Sequence, residues 1–142
     1  MSLTFNAPRQ HVPETRAMAK KIVFMLLNID PAIPATLGSP FFQATVAAAM
    51  ELEVEMYFSS RATSLLRQGV AAKLYPSERH DKSIYDFMRD AHSAGARFYA
   101  CGASLLENDL DENNAIPEMD GVRGGAAFIS AAIEDDVVTL TY

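Results

Sequence analysis

The sequence predicts an α/β fold, a three-layer α/β/α sandwich with a mainly parallel sheet. Strand-like and helix-like segments alternate along the chain, as they do where helices connect parallel strands. The run from Lys21 to Leu27 is almost wholly apolar and rich in branched side chains, which is typical of a strand covered on both faces. Right-handed crossovers would then place helices on both sides of the sheet. A length of 142 residues suits one domain with its own core.

The chain divides into a polar N-terminal tail, residues 1–19, and a single α/β domain, residues 20–142. Pro8 and Pro13 interrupt the tail, which has no sustained hydrophobic period. No apolar run is long enough for a membrane span, and the first one is too short for a signal peptide. A single cysteine excludes an internal disulfide, so we expect a reducing compartment, the cytoplasm.

The elements of the first half follow from periodicity and turn residues. Ser39 caps and Pro40 opens the first helix, which ends near Glu51. Alternation of polar and apolar residues predicts a second strand from Val54 to Phe58. We also expect a short helix containing Leu65 and Leu66, closed by Gly69, and a short strand from Val70 to Leu74.

The clearest amphipathic helix of the chain places four apolar residues on one face: Ile84, Phe87, Met88 and Ala91. Asp81 or Ser83 caps this helix, and Gly95 ends it. The remaining predictions are a strand from Arg97 to Cys101, a short helix over 103–107, a polar loop from Asn108 to Met119, a helix from Val122 to Ile133 capped by Asp120, and a strand from Val137 to Thr141.

Charge is unevenly distributed along the chain, whose net charge is −6. Residues 101–142 contain many carboxylates and a single basic residue, Arg123. Elsewhere the densest basic cluster is the pair Lys20-Lys21. Phosphate binding needs clustered lysine and arginine, so we expect no nucleic-acid surface.

Several common sites are not indicated. The sequence lacks a G-x-S-x-G elbow, a G-x-G-x-x-G loop, a P-loop and a zinc spacing, so we expect neither metal nor cofactor. The loop from Asp109 to Asn114 begins like a calcium loop, but it lacks the central glycine and reaches Asp120 where glutamate is required. We interpret it as a solvated acidic loop. His80 lies in a charged loop, from which it could reach a pocket.

Three polar segments follow predicted strands: 28–30, 59–61 and 101–104. Ligands of parallel α/β sheets bind at the carboxyl ends of the strands, so these segments would meet there. Cys101 would lie at a strand-to-helix turn, where free backbone N–H groups favour the thiolate. Arg61 could hold an anionic group near this thiol. The alternatives are a small buried cysteine, a solvated arginine, and serines that act only as caps: Ser39, Ser59, Ser60 and Ser104.

Two blocks of sequence resemble the DsrE/DsrF-like sulfur-relay family. The first runs from Gly95 to Cys101, with Ser104 and then residues 121–128. The second joins residues 44–51 to residues 54–58, and the resemblance as a whole covers about Lys20 to Tyr142. It implies a five-stranded, mainly parallel sheet, homotrimers or hexamers, and a cysteine that accepts sulfur as a persulfide, which matches Cys101. Arg61-Ala62 departs from the Asp-Gly of many relatives.

The resemblance and the residues together predict a sulfur carrier or sulfurtransferase-like protein. Cys101 would be the nucleophile, and the N–H groups of Ala103 and Ser104 would stabilise its charge. Arg61 and Arg123 would receive an anionic donor or partner, with Asn28 at the same edge of the sheet. Sulfur donor and acceptor proteins would be the partners. The alternatives are a non-catalytic oligomeric module that binds a small ligand, and a structural subunit of a relay complex.

Composition also predicts assembly. The chain is 49% apolar and contains eight Phe and seven Met, residues that suit protein–protein contacts. We expect a homo-oligomer, a trimer or hexamer, with the Cys101 edge at or near a subunit boundary. The alternative is a monomer in which all of these side chains are internal.

Overall fold

The computed structural model describes residues 19–142, so the predicted tail, apart from Ala19, lies outside the described residues. Within them the chain forms five strands and three α-helices. The strands are β1 (Lys21–Leu26), β2 (Glu53–Phe58), β3 (Arg97–Ala100), β4 (Met119–Val122) and β5 (Val137–Thr141), and the helices are α1 (Gly38–Ala49), α2 (Ile84–Ala94) and α3 (Gly125–Ala132). No helix in this part of the chain has both the length and the apolarity needed to cross a bilayer.

All five strands are parallel and lie in the order β4-β3-β2-β1-β5. The predicted three-layer α/β/α fold with a five-stranded sheet is thereby confirmed. Because the strands are parallel, their carboxyl ends share one edge of the sheet. The loops after β1, β2, β3 and β4 therefore emerge side by side at this edge.

Strand alternation gives the sheet two different faces. The face that carries Phe24, Met56 and Phe98, here called the α1/α2 face, packs against both long helices and contains most of the fully buried side chains. The opposite face, here called the α3 face, carries Val23 and Tyr57, and α3 packs on it. The core is therefore much thicker on the α1/α2 face.

Helix α2 begins and ends as predicted. Ser83 caps α2: its Oγ accepts the N–H of Asp86 at 3.1 Å, and the Asp86 carboxylate accepts the N–H of Ser83 at 2.9 Å. Gly95 follows the last turn with φ of 124°, a conformation that glycine adopts without strain. The cap predicted at Ser39 is wrong, because α1 begins at Gly38 and no described side chain caps it.

Two corrections concern strands. Residues 70–74 contain a 3₁₀ turn, Ala71–Lys73, where the sequence predicted a strand. The sheet instead contains β4, which lies in a stretch where the sequence predicted a loop and a helix cap. Asp120 lies inside β4, and its carboxylate accepts the Phe98 N–H at 2.8 Å, where the register between β3 and β4 shifts. The carboxylate thus replaces a missing ladder acceptor and does not cap a helix.

Two further segments predicted as helices are tighter than expected. The segment after β2 is a 3₁₀ helix, Ser60–Leu66, which buries Leu65 and Leu66. The segment after β3 consists of two 3₁₀ turns, Gly102–Ser104 and Leu106–Asn108, in place of one short helix.

Candidate functional site

The loops at the carboxyl edge of the sheet are joined by backbone hydrogen bonds that continue the ladder beyond the strand ends. Ser59 follows β2, Cys101 follows β3, and Arg123 follows β4, so these three residues lie in one row across the sheet. The bonds run from Ser59 N to Leu26 O at 2.9 Å, from Cys101 N to Phe58 O at 2.8 Å, and from Arg123 N to Ala100 O at 2.9 Å.

The half-buried, free thiol of Cys101 belongs to the α3 face. Phe98 and Ala100 pack into the core of the α1/α2 face, whereas Tyr99 packs with the α3 face. Cys101 keeps an extended backbone, with φ of −69° and ψ of 123°. Alternation therefore directs its side chain to the same face as Tyr99, about 7 Å further along the strand.

The turn after Cys101 offers less to a thiolate than a helix would. The 3₁₀ turn over 102–104 is too short to build a large dipole. The Ser104 N–H donates to the carbonyl of Cys101 at 3.0 Å. The Ser104 side chain is buried, and its Oγ accepts the N–H of Ser60 at 3.0 Å. Ser104 therefore ties the two neighbouring turns together.

A charged cluster occupies the α3 face below Cys101. The guanidinium of Arg123 lies 3.7 Å from the ring centre of Tyr99, and its Nη1 donates to Glu55 Oε1 at 3.0 Å and to Tyr57 Oη at 3.4 Å. Lys21 Nζ lies 3.1 Å from Glu55 Oε2. The Lys21 and Glu55 side chains are only 14% and 13% exposed. Two cations thus share one mostly buried carboxylate, and Lys21 Nζ also lies 3.8 Å from the more exposed Glu134 Oε2.

The cluster shifts three pKa values in ways that preserve its charges. The hydrogen bond to Tyr57, together with the charge of Glu55, raises the pKa of Arg123 despite burial. Burial raises the pKa of Tyr99 more than Arg123 lowers it. Burial lowers the pKa of Lys21, but the hydrogen bond and charge of Glu55 outweigh this and raise it overall. At neutral pH both cations stay charged and the Tyr99 phenol stays protonated.

Arg61 and Asn28 lie towards β1, away from this cluster. Arg61 Nη1 is 2.9 Å from Asp30 Oδ2, in the loop after β1, and the Arg61 side chain is 74% exposed. Asn28 follows β1, and its N–H donates to the carbonyl of Tyr142 at 2.8 Å. Because β2 separates β1 from β3, Asn28 lies about 10 Å from Cys101. The structure therefore places Cys101 and Arg123 together and puts Arg61 and Asn28 on the β1 side.

The other polar candidates are engaged elsewhere. His80 stacks on Tyr75, with ring centres 4.4 Å apart, in the loop before α2. In the acidic loop, Asp111 Oδ1 accepts the N–H groups of Asn113 and Asn114 at 2.7 and 3.1 Å. Across residues 19–142 no group of three or more His, Cys, Asp or Glu is placed to hold a metal ion.

Sequence reasoning missed four members of the site: Lys21, Glu55, Tyr57 and Tyr99. Glu55 alternates with apolar residues in β2, so the sequence predicts that its side chain faces solvent and does not suggest a buried ion pair. A usable signal was present, since Tyr99 precedes Cys101 by two residues and Tyr57 stands two residues after Glu55. Such spacing places each pair on one face of a strand.

Comparison with known proteins identifies the protein family of this chain. The sequence profile described as "DsrE/DsrF-like family" matches residues 21–140. The chain belongs to the DsrE/DsrF-like family. A search of curated proteins finds no match.

Solved structures of similar shape support the fold of this DsrE/DsrF-like chain. A protein of unknown function, MTH1491 from Methanobacterium thermoautotrophicum, is similar with a TM-score of 0.60 and 20% identity, over 86% of this chain and 98% of that one. The ychN protein from E. coli is similar with a TM-score of 0.69 and 15% identity, over 87% of this chain and 99% of that one. At such identities the likeness concerns the fold.

Proposed function

We propose that this protein is a sulfur carrier that holds a persulfide on Cys101 and passes the outer sulfur to a partner. One observation carries the proposal: the only cysteine of a DsrE/DsrF-like chain lies at the carboxyl edge of the sheet, beside Arg123. The thiol is half-buried, so small donors can reach it, and the strand beneath holds it in place.

The reaction is an exchange between sulfur atoms without net oxidation. The Cys101 thiolate attacks the outer sulfur of a donor persulfide, R–S–SH. A new S–S bond forms on Cys101, the donor S–S bond breaks, and the donor leaves as the thiolate R–S⁻, which takes up a proton. A second transfer of the same kind returns Cys101 to the thiol. The chain has no second cysteine to displace the outer sulfur, so an external acceptor must take it.

Arg123 is the cation best placed to receive an anionic donor. Its Nη1 is held by Glu55 and Tyr57, whereas its Nη2 and Nε have no partner within residues 19–142. The side chain is 40% exposed. A guanidinium that is fixed on one side and open on the other can bind a carboxylate without further ordering.

Exposed apolar residues at the carboxyl ends of β3 and β4 suit a protein acceptor. Leu106 is the first residue of the second 3₁₀ turn after Cys101 and is 89% exposed, and Val122 is 52% exposed. The Val122 side chain lies against Gly102, the residue after Cys101. Large exposed apolar side chains near a reactive group are suited to contact with a partner protein.

The direct test is intact mass after exposure to glutathione persulfide. We expect the wild-type protein to gain one sulfur atom, which a reducing agent removes, and Cys101→Ser to gain none. Transfer from the loaded protein to an acceptor thiol then completes the cycle. No gain of sulfur in a protein whose Cys101 is labelled by a maleimide would refute the proposal and favour a ligand-binding module. Normal function and complex formation of Cys101→Ser in cells would favour a structural subunit.

Paired arginine variants test the donor site. Arg123→Gln should slow loading by glutathione persulfide several-fold but leave loading by an alkyl persulfide without a carboxylate unchanged. Arg61→Gln is the matched control, because Arg61 pairs with Asp30 on the β1 side and its loss should affect neither donor. Equal slowing by both variants, or with both donors, would contradict a site at Arg123.

The remaining parts of the proposal concern domain organisation, cellular location and assembly. Residues 20–142 act as one domain in the cytoplasm, a location supported by the single cysteine. The protein assembles as a homotrimer or hexamer with the Cys101 edge at a subunit boundary, which Leu106 and Val122 support by their exposure.

A further inference from the structure

The outermost strands of the sheet are β4 and β5, and they differ in how well they are protected from pairing with a further strand. The β4 edge is short, four residues, and contains Asp120 and a register shift. The β5 edge has five residues, Val137–Thr141, without a charge, a glycine or a proline. Among the described residues β5 pairs only with β1. Natural proteins normally blunt free edges with charges, proline or bulges, and β5 shows none of these devices.

The outward-facing groups of β5 can be assigned from its bonds to β1. Tyr142 donates its N–H to Met25 and accepts the N–H of Leu27, each at 2.8 Å, and the Asp136 carbonyl accepts the N–H of Lys20 at 2.9 Å. In a parallel ladder every second residue bonds to the same neighbour. Even-numbered residues of β5 thus bond to β1. The N–H and C=O groups of Val137, Thr139 and Thr141 face outward, with no partner in residues 19–142.

An apolar groove accompanies this edge on the α1/α2 face. Phe42, Val46 and Met50 stand four residues apart at α1 and are 59%, 43% and 55% exposed. Val138 and Leu140 of β5 are 44% and 36% exposed. The residues that line the groove, as far as the described chain shows, carry no charge: Ile22, Phe24, Phe42, Gln43, Val46, Ala47, Met50, Leu52, Leu140 and Tyr142.

We infer that the β5 edge pairs with the β5 edge of a second copy of this chain, antiparallel and about a two-fold axis at Thr139. In this register the outward groups of Thr139 bond to those of the partner's Thr139, and Val137 faces the partner's Thr141. Val138 faces the partner's Leu140 in a close, non-hydrogen-bonded pair. The two apolar grooves then adjoin and cover each other.

Charge selects a second copy in this orientation. The acidic run Glu134-Asp135-Asp136 precedes β5, so parallel pairing of two copies would align carboxylates. Antiparallel pairing keeps the two acidic runs at opposite ends of the interface. The uncharged strand and groove offer no counter-charge to a charged peptide, whereas they match their own copy. This contact is independent of Cys101, and a two-fold contact would join two trimers into a hexamer.

The test is the mass of the full-length protein in solution, by light scattering at micromolar concentration. We expect Val138→Lys to halve the wild-type mass, because each introduced lysine would face an apolar residue of the other copy, and Leu140→Glu to do the same. The two variants mixed should regain the wild-type mass, since the introduced lysine of one copy then faces the introduced glutamate of the other. This rescue also shows that neither variant is misfolded.

Val138→Thr is the matched control, because it keeps a neutral β-branched residue, and its mass should equal that of the wild type. A monomeric wild-type protein, or an unchanged mass in Val138→Lys, would overturn the inference. Halving in both variants without recovery on mixing would overturn the antiparallel register.

Discussion

The two faces of the sheet differ in depth and in chemistry. The α1/α2 face is covered by helices of twelve and eleven residues and buries Phe24, Phe58 and Phe98 completely. The α3 face is covered by a helix of eight residues and carries the ion pair of Lys21 and Glu55. Stability therefore rests mainly on one face, while the charged groups and the thiol lie on the other.

This division suits a carrier. A deep apolar core on one side fixes the strands, so the side chains on the opposite side keep their positions without a thick layer above them. The thinner α3 face leaves Arg123 40% exposed and Cys101 half-buried. A site of this kind is both accessible and ordered.

The largest expected effect comes from the α1/α2 face. The Phe58 ring is fully buried, with ring centres 5.3 Å from Phe98 and 6.0 Å from Phe41. Phe58→Ala should lower the free energy of unfolding by about 3–5 kcal/mol. Phe128→Ala, on α3 against Tyr57 at 5.4 Å, is the control and should cost well under half of that, because the side chain is only half-buried. Urea unfolding measures both, and equal losses would contradict the difference in depth.

The second effect concerns the charged cluster on the α3 face. Glu55→Gln keeps the shape of the side chain but leaves Lys21 and Arg123 without their shared carboxylate. We expect a loss of about 1–3 kcal/mol in the free energy of unfolding at neutral pH. Glu53→Gln, at an exposed position of β2, is the matched control and should change stability little. A neutral outcome for Glu55→Gln would mean that desolvation cancels the attraction.

The same cluster predicts a pH dependence. The pKa of Lys21 is higher in the folded protein than in the unfolded chain, mainly because Glu55 overcomes the effect of burial. Its contribution is therefore complete below the unfolded pKa and is lost as pH rises through the folded value, above about pH 10. The stability difference between wild type and Glu55→Gln should shrink over that range in unfolding experiments, and a constant difference would contradict this origin.

The fold was predictable where one local signal decided an element. The apolar run of β1 and the periodic helix α2 with Ser83 and Gly95 were predicted correctly. β4 was missed because Met119–Val122 contains Asp120 and Gly121, which resemble a helix start in sequence. Its pairing depends on β3, and on a carboxylate that replaces a ladder bond, so local sequence could not indicate it.

The site was predictable only in part for the same reason. The strand ends gave the edge on which Cys101 and Arg123 lie, but which loops adjoin depends on strand order. In that order β2 lies between the strands that precede Asn28 and Cys101, and Arg61 forms an ion pair with Asp30 in the loop after β1. Glu55 becomes part of the site only because the long Arg123 side chain reaches back over Tyr99.

The smallest effect concerns the residues at which helices α2 and α3 begin. Ser83 and Asp86 cap α2 reciprocally, whereas Gly124 begins α3 without a side-chain cap from the described residues. Ser83→Ala should cost about 1 kcal/mol. Ser39→Ala is the control, because Ser39 makes no cap and its loss should be close to neutral. Urea unfolding measures both variants, and equal losses would contradict a specific role for the Ser83 cap.

Acid should remove the contribution of Asp86 to this cap. The backbone N–H of Ser83, then its hydroxyl, holds the pKa of Asp86 below its ordinary value. The stability that Asp86 adds is therefore present above about pH 4 and is lost as pH falls through the folded pKa. Asp86→Asn should then lower the free energy of unfolding at pH 7 and converge with the wild type once the pH falls below the folded pKa of Asp86. A gap that persists in acid would assign the effect to helix propensity and not to the capping carboxylate.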